Sequence, residues 1–250
     1  MGDTTLMPNN PGLGEQALNK AAEIGITSQL DQVENLDVDV KTDPLKLMQG
    51  EVDSVKIEGE GLVMQNSLRV EELHMQVDSV SINPLSVAFG KIELTKPTQG
   101  SAKIVLTEAD INRAFNSDYI RGKLQSQTIN LSGQAVAVSL KQVDFHLPGQ
   151  NRIELKADLQ LDNNETHRVA FSAVPTVSAN GKTINLENVQ YPQGEESSSI
   201  TQSLIDATSE ILNLDNFDLQ GMTLTIKGLY PEVGQLIIAA EAHVEQIPSA

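Results

Sequence analysis

SAKIVLTEADINRAFNSDYIRGKL, residues 101–124, is the stretch whose reading decides the fold. Ala102, Ile104 and Leu106 alternate with Lys103 and Val105, the pattern of a half-buried strand. Thr107 then offers a hydroxyl to free helix N–H groups. Glu108 and Asp110 fall in the first turn, where carboxylates suit the positive end of the helix dipole. Ile111, Ala114 and Phe115 follow at helical spacing. Asn116-Ser117-Asp118 predicts a break, after which a second short helix carries Tyr119, Ile120 and Leu124. A strand thus feeds a capped helix, and Thr107, Glu108 and Asp110 are read as the cap, with no chemistry of their own.

Working outward, strands dominate. Residues 1–12 read as a disordered lead-in rich in Gly, Pro and Asn, and a helix is expected from 13 to about 30 with a small-residue stripe of Ala17, Leu18, Ala21, Ala22 and Gly25. Alternation then predicts strands through Leu36–Val38–Val40, Val55–Ile57, Leu73–Met75–Val77 and Ile92–Leu94. Gly59-Glu60-Gly61 reads as a turn, and the phase change at Asp78-Ser79 as a β-bulge that bends the sheet. Ile153, Leu155, Ala157, Leu159 and Leu161 form the cleanest alternation in the chain. Asn180-Gly181 predicts a two-residue hairpin turn. A third helix, capped near Ser197, carries Ile200, Leu204, Ile205, Ala207, Ile211 and Leu212. One echo stands out. Asp43-Pro44-Leu45 leads to Gly50, and Asn83-Pro84-Leu85 leads to Gly90 at the same offset. Both read as turns with apolar loops, which either plug one end of the sheet or lie exposed and touch a membrane.

Long runs of strand around isolated helices argue α+β: a curved, bulged antiparallel sheet wrapped around a few helices, with residues 13–247 as a single domain. A chain of 250 residues buries roughly 70–75% of its unfolded surface. There is no cysteine, which removes disulfides, thiolate metal sites and cysteine nucleophiles. The net charge of −17 speaks against nucleic acid as a partner and against attraction to an anionic membrane. No Trp, three Tyr and five Phe leave a core of Val, Ile, Leu, Ala and Met, whose walls are smooth and aliphatic. No signal peptide and no run of about 20 apolar residues is legible, so a cytoplasmic or peripheral location is expected. His74, His146, His167 and His243 have no metal-ligand spacing, and the acidic pairs read as a solvated face. Asp162-Asn163-Asn164-Glu165 reads as a turn. No nucleophile elbow, P-loop or dinucleotide fingerprint is present, so no enzyme activity and no cofactor is expected.

The segment NPLSVAFGKIELTKPTQGSAKIVLTEADINRAF, residues 83–115, resembles the LmeA-like phospholipid-binding family of bacteria. The motifs that carry it are Gly90-Lys91-Ile92, Lys96-Pro97-Thr98 and Leu106 to Phe115, with GEVDSVKIEGEGLVM and LRVEEL upstream. The resemblance implies a TULIP-like lipid-binding fold enclosing an apolar groove, with phospholipid or another acyl-chain ligand as partner, transient membrane contact, and a role in lipid transfer or membrane lipid homeostasis. The residues expected to line the groove are Ile111, Ala114, Phe115, Leu124, Leu204, Ile205, Ile211 and Leu212. The alternative is a structural or interaction protein of the same fold with a filled core. A lipid hydrolase, which needs Ser or Asp beside His in a pocket, is the weakest reading.

Overall fold

The structure is a computed structural model; it describes residues 12–64, 67–87, 92–124, 128–131, 134–161, 165–192, 201–202, 205 and 221–245. Every strand pairing in it is antiparallel. In chain order the elements are α1 (Leu13–Thr27), β1 (Asn35–Lys41), α2 (Pro44–Met48), β2 (Glu51–Met64), β3 (Leu68–Ser81), α3 (Pro84–Val87) and β4 (Thr98–Thr107). Then come α4 (Glu108–Phe115), α5 (Asp118–Leu124), β5 (Thr128–Leu131), β6 (Gln134–Gly149), β7 (Arg152–Leu161), β8 (Thr166–Val177), β9 (Ile184–Gln190), β10 (Met222–Glu232) and β11 (Gln235–Val244). The strands form two sheets. The six-stranded sheet has the order β1-β2-β3-β4-β11-β10, and the five-stranded sheet β5-β6-β7-β8-β9. The expected α+β architecture is therefore present, divided between two sheets.

The opening stretch folds as read. β4 runs into α4 through Thr107, whose Oγ1 accepts the Asp110 N–H at 3.1 Å. Helix α4 ends at Asn116, and α5 restarts at Asp118. The third predicted helix is represented by Thr201, Gln202 and Ile205, which are helical; Ser197, Leu204, Ala207, Ile211 and Leu212 lie outside the described residues.

In each sheet a helix covers strand backbone that no neighbouring strand pairs, through the same side-chain device: on β1, the edge of its sheet, and on β6 beyond Gln134–Ala137, the part that β5 pairs. Along β6 the Glu108 carboxylate accepts the Leu147 N–H at 2.7 Å. Asn112 accepts the Phe145 N–H at 2.8 Å and donates to its carbonyl at 2.7 Å. Asn116 does the same at Val143, at 3.1 and 2.8 Å. Four helical residues rise about 6 Å and two strand residues about 6.6 Å, so side chains spaced by four match backbone groups spaced by two. On α1, Glu15 accepts from Thr42 N–H at 3.0 Å and Asn19 from Val40 N–H at 2.9 Å. Unpaired backbone groups on an edge invite pairing with another chain, and these helices occupy them.

Two hydrophobic clusters result. Leu18, with Ala22 and Ile26, brings α1 onto Val38, Val40, Val52, Val77, Val80 and Ile82 of the six-stranded sheet. Of the expected small-residue stripe, Ala17 is exposed, so the buried face centres on Leu18, not on the alanines. The other cluster covers the five-stranded sheet. Its rows are Val143–Ala157–Val169 and Phe145–Leu155–Phe171. The strict alternation of β7 points Ile153 to Leu161 inward and Arg152 to Gln160 outward.

Several sequence readings need correction. Gly59-Glu60-Gly61 is no turn. It lies within β2, where Gly61 takes φ +59° and a Cβ there would strike the Glu34 side chain. The phase change at Asp78-Ser79 is real, but β2 and β3 pass it in unbroken register, with Val52 opposite Val80 and Ser54 opposite Asp78. Ser79 at φ +57° reverses the faces where a bulge was expected. Register shifts occur instead at Leu140/Gln142, His146/Gly149, Ser172/Val174 and Ile226/Gly228. Ile92 and Leu94 form no strand; Leu94 makes a single bridge to Ile82, and both pack near α1. Asn180-Gly181 sits in a longer connection from Ser178 to Thr183, because the Gly181 carbonyl is taken by the Ile226 N–H at 2.7 Å. That bond, with Pro148 bridged to Val233 and Gly234 N–H donating to the Leu147 carbonyl at 3.0 Å, ties β10 and its turn to the five-stranded sheet.

Candidate lipid-binding face

Cross-strand partners share a face, and residues two apart along a strand share it too. In the six-stranded sheet, Gly100, Ala102, Ile104 and Leu106 of β4 therefore lie beside Ala242, Ala240, Ile238 and Leu236 of β11. Leu73, Met75 and Val77 of β3 flank them on one side. Leu224, Ile226 and Leu229 of β10 flank them on the other. The outcome is an apolar trough with a floor of small residues at one end and larger ones at the other. Its opposite face carries Ser101, Lys103, Glu241 and His243.

Exposure along the trough differs from that of an ordinary core. Ala102, Ile104, Leu106, Ile238, Leu73 and Met75 are all half-buried, whereas Ala240 and Ala242 are buried. Gly100 admits no side chain, since a Cβ would stand 2.8 Å from the Gln76 carbonyl oxygen and 2.7 Å from Val77 Cγ2. The inner end runs into the second cluster, because Leu106 and Leu236 pack against it.

The predicted site residues divide accordingly. Ile111 and Ile205 are buried in the cluster of the five-stranded sheet, and Phe115 packs on its edge. The Phe115 and Phe145 rings sit 5.9 Å apart, tilted by 38°, within the range of favourable aromatic contacts. Ala114 is half-buried. The structure thus brings Ile111, Phe115 and Ile205 together at the closed end of the trough. Leu204, Ile211, Leu212 and the Leu124 side chain lie outside the described residues. The trough floor itself was not anticipated. Its signal in the sequence is the pair of small-residue alternations Gly100/Ala102 and Ala240/Ala242, each unremarkable until the two strands pair.

Polar groups around α4 position the helix. Asp110, only 2% exposed, receives Arg113 Nη1 at 2.9 Å and Arg69 Nη1 at 3.2 Å. Arg69 also meets Glu34 and Glu71. These carboxylates, Glu71 first, hold its guanidinium more firmly charged than usual. A buried carboxylate is tolerable when paired in this way, and its removal would leave Arg69 short of a partner. His146 Nδ1 lies 3.1 Å from Glu108, and its Nε2 3.1 Å from Asp144. The Glu108 hydrogen bond raises the His146 pKa above the usual imidazole value, and Asp144 adds to this against the effect of burial. These groups lock α4 between β3 and β6.

An open cleft of about 520 Å³ lies at the C-terminal end of α1, lined by Lys20, Glu23, Ile24, Glu34 and Leu36 among others. Among the described residues, no group of three or more acidic or imidazole side chains is placed to hold a metal ion. No helix among them is long and apolar enough to cross a membrane.

Comparison with known sequences brings one match. The model of the family described as LmeA-like phospholipid-binding covers residues 12–241. Searches of curated proteins and of solved structures returned no significant match.

Proposed function

The chain belongs to the LmeA-like phospholipid-binding family, and on that premise we propose that it holds the acyl chains of a phospholipid along the β4–β11 trough. The chains lie along the row that runs from Gly100 and Ala242 to Leu106 and Leu236. Ile111, Ala114, Phe115 and Ile205 close the inner end; Leu124, Leu204, Ile211 and Leu212 are assigned to the same acyl chains on their sequence pattern alone. The observation that carries this is the half-buried apolar row Ala102–Ile104–Leu106, which continues into the fully buried cluster around Ile111. Each methylene removed from water contributes about 0.8 kcal/mol. Ten of them supply roughly 8 kcal/mol before ordering costs, so binding requires no covalent step. The protein acts as a non-catalytic carrier that moves lipid between surfaces. Residues 13–247 act as one unit in this reading, because α4 and β10 tie the two sheets together.

Native mass spectrometry of the purified protein, followed by lipid extraction, tests the proposal. Phospholipid bound at about one molecule per chain is expected. Ala102→Trp, which fills the floor, reduces occupancy by about tenfold or more, given the apolar contact displaced. Wild-type occupancy in a folded Ala102→Trp protein places the lipid elsewhere. Protein that is free of lipid and takes up none favours a filled core.

A further inference from the structure

We propose that the tip built by α2 and α3 is a docking surface for the neutral face of a phospholipid bilayer. The two Asx-Pro-Leu segments of the sequence echo are neighbours in space. Asp43 Oδ1 accepts the N–H groups of Leu45 and Lys46 at 2.8 and 3.1 Å, and Asn83 Oδ1 that of Leu85 at 3.1 Å. Each Asx thus starts a short helix in place of the expected simple turn. The carbonyl of Gly50, just after α2, accepts the Ile82 N–H at 2.7 Å, and a Cβ at Gly50 would come within 3.1 Å of Pro84. The end of α2 therefore abuts the start of α3.

The apolar side chains of this tip do not plug the sheet. Leu47 turns inward against the cluster beneath α1. Leu45, Met48 and Leu85 stand 70%, 78% and 74% exposed. Leu45 and Met48 are three apart and share one helix face.

Charge and size argue for the occupant. The charged groups nearby are already satisfied within the tip. Lys46 pairs with Asp53 at 2.6 Å, the Asp43 carboxylate caps α2, and Glu93 accepts from Asn83 Nδ2 at 3.2 Å. Lys46 is thus held among acidic neighbours, and the net charge of −17 repels an anionic partner. Three side chains expose at most a few hundred Å², well below the roughly 800 Å² per partner of a standard protein interface. A zwitterionic bilayer needs neither shape matching nor opposite charge, only apolar side chains that reach the acyl boundary. The location agrees. α3 stands between the end of β3 and the start of β4, so the tip lies at the same end of the sheet as Gly100 and Ala242. The choice of a phospholipid surface rests on the phospholipid-binding reading; the exposure of the tip does not.

The full chain contains no Trp, so Met48→Trp supplies a single fluorophore. Its emission is expected to shift to the blue on addition of phosphatidylcholine vesicles, equally at low and high salt. The triple variant Leu45→Ser, Met48→Ser, Leu85→Ser should sediment with those vesicles about tenfold less than wild type or weaker, with an unchanged thermal midpoint. An unshifted emission, or equal sedimentation of the two proteins, overturns the proposal. So does a wild-type dimer that the triple variant converts to monomer, which would make a second copy the occupant. Ala102→Trp with vesicle binding intact but no bound lipid would show the tip working without any loss of its own, so failure of trough and of tip are told apart.

Discussion

Asn112 ties α4 to the backbone of β6. Its amide serves both the N–H and the carbonyl of Phe145, and Asn116 repeats the pairing one helical turn on at Val143. An asparagine suits that place because its amide oxygen accepts and its amide nitrogen donates side by side, matching the N–H and carbonyl of a single strand residue. Truncation leaves a partly buried donor and acceptor unsatisfied. Asn112→Ala should therefore destabilise the protein by about 2 kcal/mol, read as a lower denaturant midpoint with an unchanged slope. Asn112→Asp should not rescue it, because a carboxylate would face the Phe145 carbonyl. An Asp variant as stable as wild type would refute the pairing. The T-E-x-D-I-N-R-A-F motif was legible as a helix start. Its Asn was not legible as a strand cap, since the strand it serves lies more than 30 positions further along the chain.

At the scale of elements, α1 and α4 do the same work on different sheets, and the chemistry of α1 makes its docking sensitive to acid. Glu15 of α1 accepts the Thr42 N–H first and the Gly12 N–H second, and these bonds hold its carboxyl below its ordinary value of 4.5. With the folded pKa below the unfolded one, the stabilisation is present above about 4.5 and is lost as pH falls through the folded value. Glu15→Gln should flatten the stability curve over that acidic window relative to wild type, measured by thermal unfolding from neutral pH downward. Parallel curves would show that Glu15 does not anchor α1 to β1. Helix α1 itself was readable from its apolar spacing. Its docking partner was not, because Glu15 and Asn19 look like ordinary exposed residues of an amphipathic helix until β1 is alongside. Gly59-Glu60-Gly61 misleads for a related reason. Gly is required at position 61 by a local left-handed backbone, which a strand accommodates as readily as a turn when both neighbours stay paired.

For the whole molecule, the apolar face of β4 and β11 joins half-buried Ala102, Ile104 and Ile238 to buried Ala240 and Ala242, and through Leu106 and Leu236 it meets the buried cluster beneath α4. Ligand that binds the folded state alone stabilises it by mass action. Saturating phosphatidylcholine at one hundred times its dissociation constant should raise the unfolding free energy by about 2.7 kcal/mol. The thermal midpoint should rise accordingly in wild type and stay fixed in Ala102→Trp. A midpoint insensitive to lipid in both would count against a trough that binds. The gain should fall away when the lipid is replaced by its headgroup alone, because the trough offers aliphatic contact and little else.

Strand alternation, the Thr107 cap and the break at Asn116-Ser117 are properties of neighbours in the chain, so they could be read directly from residues 101–124 and carried into the structure unchanged. The lack of cysteine and the acidic balance likewise narrowed the chemistry before any fold was known. The trough could not be read in this way. Its floor pairs Gly100 to Leu106 with Leu236 to Ala242, from opposite halves of the chain. Whether an alanine packs against a neighbour or leaves room for a ligand depends on what stands across the sheet. The same holds for Leu45, Met48 and Leu85, whose sequence permits a plug as well as an exposed tip. Tertiary packing decided between them: Leu47 packs beneath α1 and leaves Leu45 and Met48 of α2 outward, and Leu85 of α3 stands exposed as well.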